Sequence, residues 1–287
     1  MALCDIFNIR RDSNNIADIA GNEEIFTANF RTLQAFNNLY SIASDNSITC
    51  KSSILSLFIM NSFFSDTYIV ENCLEIIQRI DGDEASHLKK LHSKLRTFHN
   101  IEKLIPQKQN SLNNYFVELK RRCTWLRYHP HYWVQYAMCR LSFGDTNTAQ
   151  EHLDSAYKYA AQRKSYHTEN IDTQQARLYI MEALTCKANP RKAYSLFEKG
   201  DNLLNSIIND HHKFRQILKY EDVYNELYPR FNSGDKVRFE HACKSMIDAT
   251  EKALEDAVPT QRMNFVKRAQ LLVSDIVSDI VHQRQSS

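Results

Sequence analysis

The chain has 287 residues, of which 43% are hydrophobic and 24% charged, ordinary globular chemistry rather than disorder. Five glycines and five prolines count against Gly-rich phosphate-binding cofactor folds and against all-β folds, which need turn residues at short intervals. The net charge of +2 excludes nothing by itself. What remains is a protein of long helices with short polar connections, with no cofactor or metal expected.

Residues 1–22 read as a loosely ordered lead-in, polar and aperiodic from Asn8 onward. A helix is expected over 23–42, with Ile25, Phe26, Phe30, Leu33, Phe36 and Tyr40 near a 3.6-residue period. Asn46 and Ser47 offer an N-cap for a helix reaching Phe64, with Ile48, Ile54, Leu55, Phe58, Ile59 and Phe63 as its buried side. Asp66 is expected to cap the next helix, which runs to about Ile80 through Ile69, Val70, Cys73, Ile76 and Ile77. Two basic helices follow the Asp81-Gly82-Asp83 turn, over 84–104 and 112–127, separated by Pro106. Together, residues 23–110 form an N-terminal helical region.

Charge is unevenly spread. From Ala85 to Pro130 ten Lys/Arg face two acids, a local excess of +8. Lys120, Arg121, Arg122 and Arg127 are its densest cluster and a candidate patch for an anionic partner such as nucleic acid; the competing reading is a solvated helix face. The seven cysteines (Cys4, Cys50, Cys73, Cys123, Cys139, Cys186, Cys243) include no Cys-x-x-Cys pair, which suits thiols in a reducing cytoplasm. The opening MALCDIFNIRRD has no secretory pattern. The most apolar window, residues 53–64, is about half the roughly 20 residues of a bilayer span. A cytoplasmic chain with no membrane partner is expected.

Residues 111–257 carry a repeat. Pro130 fits the first turn of a helix that contains Trp133, Tyr136 and Ala137 and ends near Gly144-Asp145; a second helix carries Ala149, Leu153 and Ala156. This spacing resembles the tetratricopeptide pattern W-x2-L-G/A-x6-G-x4-A-x3-F-x2-A. Small residues at 137 and 149 let paired helices approach, larger ones fill the surrounding space, and Gly144 relieves the helix end. Arg140 departs from the aromatic usual at its position. A looser copy has Ile171, Ala176, Tyr179 and Leu184 on its first helix and Ala193, Phe197 and Gly200 on its second, which Asn189-Pro190 opens. Further helices are expected over 212–227 and 236–257. The predicted fold is all-α, antiparallel helix hairpins stacked as a TPR-like right-handed solenoid with a groove on one side.

The stretch YWVQYAMCRLSFGDTNTAQEHLDSAYKYA, then NIDTQQARLYIMEAL, resembles the C-terminal sensor arrays of bacterial STAND-type NTPase proteins of phage defence and signalling. IASDNSITCKSSILSLFIM is similar to the helical region that precedes such arrays. The chain has no Gly-x4-Gly-Lys-Ser/Thr phosphate loop, so the resemblance implies a sensing end without a motor.

The expected function is therefore non-enzymatic: a protein-binding scaffold or sensor module. The resemblance implies a groove wall at His131, Val134, Met138, Leu141 and Ser142, although the apolar three could equally be core. An enzymatic alternative is a metal-independent ribonuclease resembling the HEPN group. In it, His129 would serve as general acid/base and Arg122 would stabilise phosphate charge, but His129 precedes Pro130 and so falls at a helix break. Residues 258–287 end the chain with a broad apolar stripe, Phe265, Ala269, Leu272, Ile276 and Ile280. It suggests a capping helix or, over 259–284, a contact in a homo-oligomer.

Overall fold

Side-chain caps at Ser65, Asp145, Asn189 and Asn232 open four of the described helices. The computed structural model describes residues 2–7, 9, 40–42, 48–50, 53–106, 108–208, 216–255, 274 and 278. They divide into two units, residues 1–139 and 140–287. The boundary expected after residue 110 falls inside the first.

In the first unit a short helix α1 (Ala2–Ile6) precedes two strands, β1 (Tyr40–Ile42) and β2 (Ile48–Cys50). The strands pair antiparallel, with Tyr40 opposite Cys50 and Ile42 opposite Ile48. This corrects two expectations: the helix over 23–42 does not reach Ile42, and residues 48–50 do not begin the next helix. β-branched Ile42, Ile48 and Thr49 suit a strand pair. Most of the expected helix over 23–42, and the lead-in apart from residues 2–7 and Ile9, lie outside the described residues.

Helix α2 (Ser53–Phe63) packs against α1. It buries Ser56 and Met60 and exposes Phe58 and Phe63, so these two phenylalanines are not on the buried side the sequence suggested. Ser65, rather than Asp66, caps α3 (Asp66–Arg79): its hydroxyl accepts the Tyr68 N–H at 3.2 Å, and Asp66 becomes the first helical residue, favourable at the positive end of the helix dipole. The first basic segment splits into α4 (Ser86–Leu95) and α5 (Phe98–Leu104). The break at Arg96–Thr97 has a tertiary partner, since the Phe98 N–H donates to Gln135 Oε1 at 2.9 Å. The second becomes α6 (Gln109–Arg122) and a separate 3-10 helix (Thr124–Tyr128). Helix α7 (Pro130–Ser142) follows, with Pro130 in its first turn. Helix α3 lies against α4 and α6. Phe116 centres this core, its ring 5.3–6.5 Å from those of Phe98, Tyr115, Tyr132 and Tyr136. The buried Tyr115 and Tyr132 hydroxyls donate to the carbonyls of Leu95 and Phe116, each at 2.8 Å.

Gly144, at φ +77°, supplies the left-handed turn that ends α7. Asp145 then caps α8 (Thr146–Ala161), accepting the Thr148 N–H at 3.1 Å. Arg140, anomalous as a repeat residue, reaches the same cap: its Nη1 lies 3.4 Å from Asp145 Oδ2. In the second copy Asn189 caps α10 (Pro190–Asn205) through the Lys192 N–H at 3.1 Å. The unit is completed by α9 (Glu169–Thr185), α11 (Ile217–Glu226), a 3-10 turn (Tyr228–Arg230) and α12 (Ser233–Glu255). Helix α9 packs against α8, α10 and α11. The C-terminal stripe residues lie outside the described residues; Ser274 and Ser278, between them, are helical and exposed.

Both small–large–small triplets are buried: Ala149, Leu153 and Ala156, then Ala193, Phe197 and Gly200. Gly200 marks a close approach of α10 to α9. A Cβ there would meet Ala176 O and Ile180 Cγ1, both at 3.0 Å, and the carbonyl belongs to helix backbone that cannot rotate away. Gly200→Ala gains about 1 kcal/mol of helix propensity but overpacks a contact of the kind that costs about 1–3 kcal/mol. The expected result is a lower unfolding midpoint, read by circular dichroism; a raised midpoint would show that the helices have room to part.

Candidate functional site

The second unit holds an open groove of about 670 Å³. Its sides are Gln150, Asp154 and Tyr157 of α8 and Lys199, Asn202 and Leu203 of α10; Gln175 and Tyr179 of α9 form its floor. Gln150, Asp154 and Tyr157, and Gln175 and Tyr179, recur at three- or four-residue steps, and Asn202 and Leu203 follow Lys199 by three and four, so each set occupies one side of its helix.

The lining is polar and partly pre-organised. Gln150 and Gln175 exchange amide hydrogen bonds of 3.1 and 2.7 Å, and Gln150 Nε2 also donates to Asp154 at 2.7 Å. A primary amide has two N–H donors and two lone pairs, so the exchange leaves Gln175 with one N–H and one lone pair unused. At the groove edge Tyr157 donates to Asp172 at 2.7 Å; burial, then that carboxylate, hold its phenol well above the usual range. The groove thus offers fixed amides, an acid (Asp154) and a cation (Lys199) around one apolar side chain, Leu203. Such a lining presents hydrogen-bonding groups of both kinds; the Ser206 hydroxyl, also in it, donates to the Leu203 carbonyl at 2.7 Å.

The groove wall inferred from the repeat resemblance is placed differently. Val134 and Leu141 are buried, Met138 and His131 half-buried, and Ser142 exposed, so Val134 and Leu141 serve as core. The observed groove lies mainly between second helices of the two copies, whereas the resemblance pointed to first helices. Polar side chains at helical spacing read as a solvated face; the one signal was that Gln150, Asp154 and Tyr157 each follow a residue of the buried triplet and so flank its face, about 100° round the helix.

Two of the four patch residues, Arg121 and Arg122, are paired with carboxylates, one of which, Glu71, lies outside the counted stretch. Because α3 packs on α6, Glu71 pairs with Arg122; within α6, Glu118 pairs with Arg121 (2.6 Å) and Arg122 (3.8 Å) at three- and four-residue steps. Lys108 lies 3.7 Å from Asp66, and Lys89 pairs with Glu84. Lys120 sits over the Trp133 ring, 4.9 Å from its centroid, and Arg127 is exposed. Arg122 is thus held by two carboxylates, while His129 packs edge-on against Trp125 at 5.7 Å and near His131 at 6.3 Å. The spacing that suggested a ribonuclease pair instead spans a helix end and a 3-10 turn.

A second polar cluster gathers around Trp125. Its Nε1 donates to both Asp81 oxygens (2.9 and 3.1 Å), and His92 Nε2 lies 3.1 Å from Asp81 Oδ1. Arg96 covers the indole at 5.4 Å. Burial, more than the Arg96 charge, lowers the pKa of His92 against the opposing pull of Asp81. The same two causes bring His131 down to about 4. Cys123, at the rim of this cluster, is pushed up to about 11 by burial and then by Asp81, so it stays a protonated, unreactive thiol at neutral pH.

Among the described residues no group of His, Cys, Asp and Glu could hold a metal ion, and no helix is long and apolar enough to cross a membrane. No family model, curated protein or solved structure matches the chain.

Proposed function

We propose that this chain is a non-enzymatic protein-binding module of the helical-repeat type, and that the groove between α8 and α10 receives an extended segment of its partner. The groove geometry carries this reading. Amides paired across α8 and α9 can hydrogen-bond a main chain at reduced ordering cost, and pre-organisation of this kind is what turns contact area into affinity. Two features support a repeat array. The small–large–small triplet recurs buried in α8 and α10, and α9 touches the helix before it and the two after it, as a first helix does in stacked hairpins. By the resemblance to STAND-type sensor arrays, the module would serve as the sensing element of a defence or signalling system.

Photo-crosslinking tests the site. A benzophenone side chain at exposed position 154 or 202 should give a discrete adduct with a partner in the native cell, and Asp154→Lys on the position-202 probe should remove it. A probe at exposed Lys187, outside the groove, should give none. Equal adducts from all three positions would count against the groove.

A further inference from the structure

The groove of the second unit carries opposite charges on opposite walls. Asp154 stands exposed on α8 and Lys199 exposed on α10. Among the described residues Asp154 has one hydrogen-bond partner, the Gln150 amide at 2.7 Å, and neither Asp154 nor Lys199 has an ion-pair partner. Lys158, one turn beyond Asp154, lies over the Tyr159 ring instead. Glu182 of α9 feels the Lys199 charge without pairing with it.

The packing around α9 gives the spacing of the two charges. Tyr157 bonds Asp172 and Gln150 bonds Gln175, so α8 runs antiparallel to α9 and Asp154 lies level with the region of Thr173. A Cβ at Gly200 would meet Ala176 and Ile180, and the Ile208 N–H donates to Glu169 at 3.3 Å. Helix α10 therefore also runs antiparallel to α9, and Lys199 lies level with the region of Tyr179. Along α9 the two charges are about six residues apart, roughly 9 Å at about 1.5 Å per residue. An extended chain covers that distance in about three residues. Its side chains alternate, so residues an odd number of steps apart point to opposite sides. With side chains turned to the walls, the chain presents main-chain N–H and C=O groups to the floor, where Gln175 keeps one N–H and one lone pair unused.

We propose that the partner's segment is an extended strand with a basic and an acidic side chain three residues apart, the basic one against Asp154 and the acidic one against Lys199. The pair rests on the groove being the seat of an extended segment, and adds the side chains that segment must carry. Steps of two or four put both charges on one side of the strand and leave one wall unanswered. A step of one spans only about 3.3 Å, far short of the separation along the groove. The floor amide bonds main chain of any sequence, so the charge spacing selects the ligand.

Fluorescence anisotropy of the full chain at low salt tests the pair. The probes are labelled, amidated threonine peptides of about ten residues, each carrying one lysine and one glutamate at steps of one to five. The three-residue step should bind tightest, with steps of two and four roughly 2- to 5-fold weaker, the effect of one lost exposed ion pair. Asp154→Lys should exchange the preference, favouring a peptide with two glutamates three residues apart over the lysine–glutamate peptide. Lys199→Glu should favour two lysines in the same way. Both side chains are exposed, so both variants should keep the wild-type melting temperature. Equal affinity at every step, or no exchange of preference in the variants, would overturn the charge pair; if Asn202→Arg still abolishes that binding, the groove reading stands. Binding by none of the peptides would also overturn the pair, while the groove reading would stand or fall by the crosslinks.

Discussion

Phe197→Ala should cost roughly 3–5 kcal/mol of stability, the range for removing a fully buried phenylalanine. Phe197 is 1% exposed. Its ring lies 5.2 Å from Tyr220 edge-on and 5.0 Å from Phe239, so one side chain joins α10 to α11 and α12. The cavity left behind would not close easily. At Gly200 α10 already lies so close to α9 that even a Cβ would meet Ala176 O at 3.0 Å, and Tyr220 is held from the other side by its hydrogen bond to Asp201 at 2.6 Å. Urea unfolding followed at 222 nm would measure the loss. A change of less than about 1 kcal/mol would mean that Phe197 does not join these helices.

Acid should destabilise the protein between about pH 6.5 and 4, and His131 should account for a large part of the effect. Geometry and electrostatics agree on its neutral form. The Phe98 N–H occupies Gln135 Oε1, which turns Gln135 Nε2 toward His131 Nε2 at 3.4 Å. That ring nitrogen must then accept, and a proton on it would set donor against donor. Burial first, then Arg96, bring its pKa to about 4. A folded pKa below the unfolded value makes the unfolded chain the stronger proton binder in this window. The stabilisation is therefore fully present above about pH 6.5 and disappears as pH falls through 4. At about 1.36 kcal/mol per pH unit the whole effect is on the order of 3 kcal/mol. His131→Gln should flatten the acid arm of a stability–pH profile measured by urea unfolding. An equally steep arm in that variant would shift the cause to His92 or to carboxylates.

The sequence was most legible where local chemistry decides structure. Pro130, Gly144, Asp145 and Asn189-Pro190 mark their boundaries because a first-turn proline, a left-handed glycine and a capping carboxamide act on their own few residues. The buried triplets were legible for a similar reason: Ala149, Ala193 and Gly200 are small on an otherwise bulky helical face. Features that depend on distant partners were not. The break between α4 and α5 rests on Gln135, 37 residues away in the chain, and no residue at Arg96–Thr97 announces it. The pairing of Arg122 with a distant acid becomes visible only once α3 brings Glu71 beside it. His131, legible as one of a helix-face series, turns out to belong to an acceptor site set by the start of α5. The groove stayed hidden because its polar lining has the composition of an ordinary wet surface, and only the spacing of α8 from α10 makes it concave.

The groove is the central claim, and ligand selection tests it most directly. Random peptides of about 12 residues, displayed in extended form, would be selected on the wild-type chain. Each would then be measured against the Asp154→Lys, Asn202→Arg double variant, whose changes lie at exposed positions and should leave the melting temperature unaltered. The groove predicts ligands that lose at least about tenfold in affinity, or about 1.4 kcal/mol, in the variant. A selection yielding no ligand, or only ligands that bind variant and wild type alike, would contradict it.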